Sequence, residues 1–516
     1  MKNNDQKISQ KGFSTLEMLI AMFVLLLSLT AVISVSFGNQ SLIIDSQTNA
    51  EALNIAQGLL EKAQADARKD FNIVNPVAQT ETADGFKYWT EVKQEDGDYF
   101  TKLVTAHVEF PEDSGRRGDT ELTAVVANFN NAVGGDTCSS VLLPDAAAWK
   151  SPEIKNMVTG FDGLAHVSGK FPITDVDAYK GRLYITVGET ENEDDPVFFI
   201  FDIDKLINDP GHALLGSADN ATSTISGLNA VAVAEDPATG NTYAYLANNN
   251  DDSQLQVIDV TDPGDIDTGG FADWELKYAG TGKGNSIFYR NGYIYLGLTS
   301  AGGDSEFHII DTHDPLEASG KDVGQWSSNK HDINAIYVRG RYAYLAIPET
   351  DSGKNLIILE ISNAASPESV GSFSDGGNNG KSLFMAGDAL YLGRTLGGTE
   401  LTVLDVGDPA SSTLPIMAGR DDINVSVDGV IVRGATQTAD DPELSGLAFL
   451  LTKRTFQVYG AAGLVAAAPA TATATLSLPN GSDNNKYEAS LDCEGNYFFA
   501  GSNDYDWNSY ISVIAP

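Results

Sequence analysis

Six histidines, two cysteines and a few dense acidic loops are the residues of this chain that could carry chemistry. The histidines are His107, His166, His212, His308, His313 and His331. No two have the spacing by which one helix presents a zinc pair, and neither a Gly-x-Ser-x-Gly elbow nor a Gly-x-x-x-x-Gly-Lys phosphate loop occurs. His308 and His313 flank Asp311, as residues of any strand end and turn can. Alternating oxygen side chains in a loop can hold Ca2+, and residues 189–195, 248–252 and 503–508 offer them. The last stretch, with Asp504, Asp506 and Asn508, is the weak calcium candidate; it lacks the Gly at the sixth place and the Glu at the twelfth that a full calcium loop uses. Solvated acidic loops are the plainer reading of all three. No catalytic residue is assigned, no cofactor is expected beyond that calcium candidate, and the chain is expected not to be an enzyme.

One charge stands where charge is costly. Glu17 is the sole charged residue between Phe13 and Phe37. A helix of that length, rising 1.5 Å per residue, spans a bilayer core of about 30 Å. Lys2, Lys7 and Lys11 precede the run and no Lys or Arg follows before Lys62, which predicts a cytoplasmic N-terminus and the bulk of the chain outside. An ordinary signal peptide fits less well, because the apolar run is long and its small-residue cleavage site is weak.

The stretch Lys11-Gly12-Phe13-Ser14-Thr15-Leu16-Glu17-Met18-Leu19-Ile20 resembles the processing motif of type IV prepilins. The resemblance covers the leader and the apolar segment. It implies cleavage after Gly12 by a prepilin peptidase, N-methylation of Phe13 and a role for Glu17 in assembly. Cleavage would create a cationic amine at Phe13, and Glu17 of one subunit could meet the amine of a neighbour, so that each charge escapes hydrocarbon by pairing.

The elements behind this segment fit that resemblance. Residues 41–70 contain one Gly and no Pro, with Leu53, Ala56, Leu60 and Ala63 on one helical stripe. One helix of some 60 residues is expected, ending before Pro76. Strands follow over 86–92, 99–110 and 121–129; in the second, Phe100, Val104, Ala106, Val108 and Phe110 share a face. A small antiparallel sheet packed on the helix is expected, as in a pilin head. The tripeptide Arg117-Gly118-Asp119, known from integrin ligands, falls in the polar loop between two strands, where chance produces such triplets readily.

From about residue 170 a pattern returns seven times. The fullest copies begin Ala335-Ile336-Tyr337-Val338-Arg339-Gly340 and Ser286-Ile287-Phe288-Tyr289-Arg290-Asn291-Gly292, each followed by a Tyr-rich strand. A third strand ends on an acid at Asp202, Asp259, Asp311, Glu360 and Asp405, at spacings of 57, 52, 49 and 45 residues. A sixth, degenerate copy covers 446–451 and 455–459, and a seventh covers 496–500 and 510–514. Periods near 40–50 residues with several strands each mean propeller blades, because one blade cannot bury both its faces alone. The Ile-Ile-Asp and Val-Ile-Asp cores resemble LVIVD-type repeats of surface-protein propellers. The recurring acid reads as structural: it can accept hydrogen bonds in the turn that follows, and the Pro at 263, 315 and 409 then stops the strand.

A ring must close. Cys138 precedes the propeller and Cys493 lies in its last copy. If Val141–Leu143 supplies a strand to the C-terminal blade, the two cysteines become neighbours, and a disulfide would staple the seam.

The fold class that results is mostly β with one long N-terminal helix: a leader over 1–12, a membrane and pilin-type helix over 13–75, a small sheet over 76–135, and a propeller of about seven blades over 136–516. With 32 Lys+Arg against 71 Asp+Glu, the net charge of −39 excludes a nucleic-acid partner. The expected function is a surface-exposed pilin-like subunit of a type IV pilus or pseudopilus, presenting the propeller for adhesion or protein binding. So bulky a head suits a minor or tip subunit, since crowding would oppose one on every subunit. The expected partners are other pilin subunits through the helix, the prepilin peptidase, the membrane before assembly, and a surface ligand for the propeller. The alternative is a membrane-tethered surface propeller, a hydrolase or a binding protein, that never enters a filament.

Overall fold

The computed structural model describes residues 22–23, 26, 48–64, 67, 74–82, 85–93, 101–109, 119–127, 148–159, 171–190, 195–219, 226–266, 275–276, 282–300, 305–315, 321–374, 378–411, 414–420, 423, 425–433, 446–452, 454–461, 464, 471–479, 490–503 and 508–516. Two compact units divide the chain, Met1–Asn128 and Phe129–Pro516.

In the first unit residues 48–64 are helical. Four antiparallel strands follow in chain order, Thr80–Glu81, Lys87–Lys93, Thr101–Glu109 and Asp119–Ala127. The alternation of the third strand does the work expected of it: Val104, Ala106 and Val108 are buried, and Ala52 and Ala56 of the helix pack on Phe86, Ala106 and Val108. The buried stripe differs from the expected one at its start. Leu53 is 39% exposed, and Ala52 takes the inward place, one step round the helix. Alanines at 52, 56 and 67 are wholly or almost wholly buried, so small side chains line the contact. Among the described residues no helix is long and apolar enough to cross a membrane. The expected membrane segment lies outside the described residues except at Met22, Phe23 and Leu26, which are helical and exposed.

The second unit is a ring of seven four-stranded antiparallel sheets. Their innermost strands are Ile173–Tyr179, Leu228–Glu235, Gly284–Arg290, Ala335–Arg339, Gly380–Ala386, Val427–Arg433 and Ser490–Glu494, for blades 1 to 7. Each innermost strand touches that of the next blade, and blade 7 returns to blade 1. Third strands such as Leu255–Asp259 and Lys354–Glu360 are buried on both faces over most of their length ahead of the final acid, in keeping with their richness in Leu, Ile and Val. Aromatic side chains fill the gaps between blades, as where Tyr245 of blade 2 stacks on Tyr289 of blade 3 at 5.7 Å. The turn from first to second strand carries Gly at positive φ in blades 1, 3, 4, 5 and 7, at positions 181, 292, 340, 387 and 495.

The ring closes with a different strand from the one expected. Glu153–Thr159 pairs with Ser509–Ala515 as the outermost strand of blade 7. Val141–Leu143 lies outside the described residues. An outermost strand is covered on one side only, so Glu153–Thr159 shows six exposed or half-exposed positions and one buried residue, Val158. That pattern carries little apolar signal, unlike the Val-Leu-Leu run upstream.

Candidate functional site

The innermost strands open at one end into a funnel of about 1140 Å3 lined by residues of all seven blades. The lining is polar, and its construction repeats. One position, immediately ahead of the repeat cores at Ala335 and Ser286, reaches across to the next blade every time it is occupied by a carboxamide. Asn229 Nδ2 donates to the Gly284 carbonyl at 2.6 Å, Asn285 Nδ2 to Ile333 at 2.9 Å, and Asn334 Nδ2 to Gly380 at 2.7 Å. In blade 1 the place belongs to Thr174, whose hydroxyl donates to the Leu228 carbonyl at 2.6 Å. Neighbouring serines do likewise: Ser286 Oγ donates to Ile333 at 2.7 Å and Ser382 Oγ to Val427 at 3.1 Å. Each bond satisfies a carbonyl at the strand end and ties two blades together.

Blade 5 departs from the pattern. Lys381 stands where blades 2, 3 and 4 have Asn, and its Nζ meets Asp428 Oδ1 of blade 6 at 3.0 Å. The side chains are 8% and 0% exposed, so this is a buried ion pair.

Around the seam, carboxylates do the lacing. Asp492 of blade 7 accepts from Ala178 N at 2.5 Å, and Glu494 from Gly181 N at 2.8 Å. Asp175 and Asp177 of blade 1 accept from Val231 N at 2.9 Å and Val233 N at 2.6 Å in blade 2. Asp175 also accepts from Ser490 Oγ of blade 7 at 2.6 Å, so one carboxylate joins three blades. Burial pushes its carboxyl up to about 6, against the pull of the Ser490, Val231 and Val176 donors. Its folded pKa thus lies above the unfolded value, so folding favours the protonated form. The stability this group contributes is fully present below the unfolded value and is lost as pH rises through about 6. Lowering the pH from 7 to 5 is therefore expected to raise the unfolding free energy, on the order of 1–3 kcal/mol. Asp175→Asn should reduce that slope in urea titrations run across the interval; an unchanged slope would assign it to other groups.

The recurring acids close turns. Asp202 caps the short helix Ile203–Asn208 by accepting from Lys205 N at 2.9 Å. Asp259 accepts from Thr261 N at 2.9 Å, Asp405 from Gly407 N at 2.9 Å, and Glu360 from Ser362 Oγ at 2.6 Å. Asp311 accepts from His313 N at 2.9 Å and from its ring Nδ1 at 2.6 Å. The His313 ring sits where a Cβ at Gly292 would come within 2.8 Å, so any other residue at this positive φ would strain the turn and displace the ring. His308 is buried with both ring nitrogens engaged, Nδ1 with Asp322 at 3.1 Å and Nε2 with the Ser305 carbonyl at 2.9 Å. His107 stacks on Trp89 at 4.9 Å and meets Glu121 at 2.9 Å. These histidines are held by structure.

Gly12, Phe13 and Glu17 lie outside the described residues, as do Cys138, Asp504 and Asp506. Asn508 is described and exposed, and among the described residues no group of His, Cys, Asp and Glu could hold a metal ion. The loop at 248–252 satisfies itself, Asn250 Oδ1 accepting from Asp252 N at 2.9 Å. Cys493 is wholly buried and is not a free thiol. Among the described residues the structure brings together Asn229, Asn285, Asn334, Lys381 and Asp428, which the sequence did not single out. The signal was a polar residue one place ahead of the repeat core in blades 1 to 6, at Thr174, Asn229, Asn285, Asn334, Lys381 and Asp428.

Comparison with known proteins gives one family match. The LVIVD-repeat model matches residues 332–375, which enclose blade 4 from Ala335 to Ser374. No characterised protein matches the sequence. Among solved structures, the chain is similar to the β-propeller domain of Myceliophteria thermophila Cps50 (Swd1), at 12% identity and a TM-score of 0.45 over 71% of this chain and 99% of that one. The WD40 propeller domain of Doa1 is 11% identical with a TM-score of 0.45, over 70% and 97% of the two chains. Chaetomium thermophilum Sqt1, solved bound to the N-terminus of ribosomal protein L10, is 10% identical with a TM-score of 0.38, over 84% and 93%. The seven-bladed ring itself is fixed by this chain's own strand pairing, and it contains an LVIVD repeat as one of its blades.

Proposed function

We propose that this chain is a pilin-like minor or tip subunit that carries a propeller as a protein-binding head. The observation that carries the binding reading is the polar funnel, to which every blade contributes while its hydroxyl and carboxamide protons hold the ring together. Such a rigid concave surface suits recognition, and binding rather than catalysis is its role here. The pilin reading rests on the residues around Gly12, on Glu17 in the apolar run, and on a helix at 48–64 packed on a four-stranded sheet. Phe13 would carry the methylated amine, and Glu17 would pair with the amine of a neighbouring subunit. The N-terminus would face the cytoplasm and the propeller the exterior. Cys138 is the other cysteine of the chain, and its pairing with Cys493 would tie the propeller's entry to its last blade.

Mass spectrometry of the protein purified from native membranes tests this. The mature chain is expected to begin at methylated Phe13, and a non-reducing digest to contain one linked peptide pair with Cys138 and Cys493. A start beyond residue 30, as a secretory peptidase would leave, would sink the pilin reading. Two alkylatable thiols would remove the bridge.

A further inference from the structure

The groups at the funnel mouth are sorted by hydrogen-bond sense. Asn229, Asn285 and Asn334 each face a backbone carbonyl, which only accepts, so the nitrogen must lie on that side and the carboxamide oxygen on the other. Thr174 and Ser490 also turn their protons inward, to the Leu228 carbonyl and to Asp175. Asp332, which lines the funnel ahead of blade 4, is half-buried and takes one backbone donor, Ser300 N, at 2.6 Å. The two cations of the lining, Lys381 and Arg454, belong to blades 5 and 6, and Lys381 is paired with Asp428. Along the arc from blade 7 round to blade 4 the polar groups of the mouth are therefore mainly acceptors, with Asp332 as the carboxylate left to a ligand, since Asp175 is already taken by Ser490, Val176 and Val231.

We infer that this arc binds an alkylammonium or guanidinium group. The inference rests on the reading of the funnel as the binding face and names its ligand class. A donor-rich cation satisfies several acceptor oxygens at once and gains charge-assisted hydrogen bonds that a neutral donor does not, whereas an anion on this arc would face lone pairs and Asp332. Among the described residues no aromatic side chain lines the funnel, so a sugar or a planar ring would find no stacking platform there. The chain's charge of −39 draws cations towards it from a distance. The cation can come from a lysine or arginine of a partner's exposed segment, or from a free polyamine.

Calorimetric titration of the full chain in detergent with tri-lysine, tri-glutamate, tri-glycine and spermidine decides among these. Tri-lysine is expected to bind and tri-glutamate not. Asp332→Asn keeps an oxygen for Ser300 N and should weaken tri-lysine binding about tenfold, the worth of one partly shielded charge contact. Glu368→Gln removes the same charge from an exposed outer strand of blade 4 and should leave binding unchanged. Equal loss in both variants, or none in Asp332→Asn, overturns the site. Binding of tri-glutamate or tri-glycine in place of tri-lysine overturns the cation class and leaves the binding reading standing; silence from every probe overturns both. Spermidine binding as tightly as tri-lysine supports the cation chemistry and identifies the ligand as a free polyamine.

Discussion

Lys381→Met is expected to destabilise the propeller by about 3–5 kcal/mol. The ammonium lies 3.0 Å from Asp428 in a place where both side chains are almost wholly withdrawn from water. Removing it strands a carboxylate between blades 5 and 6 without the charge that faces it. That carboxylate must then take up a proton or draw water into the joint, and either is costly. The pair itself need not be a net gain, because desolvating two charges offsets much of their attraction. Lys381→Met combined with Asp428→Leu should therefore recover most of the loss. Urea unfolding of the wild type, the single and the double variant measures all three. A single variant as stable as the wild type would mean that the joint is hydrated, and the buried-pair account would fall.

The same joint shows what could be read in the sequence. The third strands of blades 1 to 5 are mostly apolar on both faces and end on an acid that closes a turn, so Asp202, Asp259, Asp311, Glu360 and Asp405 marked five blades by spacing alone. Even the degenerate sixth copy falls on the second and third strands of blade 6, Leu447–Thr452 and Thr455–Gly460. The outer strands were not legible. Covered on one side, they alternate weakly, and the closing strand Glu153–Thr159 looks like a polar connection. Leu53 shows a related limit: helical periodicity locates a stripe, but which of two adjacent residues faces inward depends on the surface it meets. The funnel residues were hidden differently. An Asn beside a strand usually marks a turn. That Asn229, Asn285 and Asn334 instead join neighbouring blades follows only once the ring brings residues some fifty positions apart to one place.

Trp149→Ala is expected to cost about 3–5 kcal/mol, as removal of a fully buried large aromatic does. Trp149 is 1% exposed, in the single helical turn Ala148–Lys150 just ahead of the closing strand. Its ring meets Phe449 at 5.0 Å edge-on, Phe456 at 6.3 Å, and Phe498 at 5.2 Å edge-on. The first two belong to blade 6 and the third to blade 7, and Cys493 lies in the same cluster. Blade 7 is the one blade assembled from both ends of the unit, so a chain that lets go of Glu153–Thr159 leaves Ser509–Ala515 with an open edge. Trp149 holds that returning segment by packing, where the strand alone would hold it by edge hydrogen bonds. The loss should therefore be local at first. Hydrogen exchange in Trp149→Ala is expected to accelerate in Ser490–Glu494, Tyr497–Asn503 and Ser509–Ala515, while the third strands of blades 2 to 4 stay protected. Trp149→Phe, which keeps an aromatic ring in the cluster, should recover most of the stability. Uniform acceleration around the ring would mean that the propeller opens as one unit, and that Trp149 is core like any other rather than the anchor of its closure.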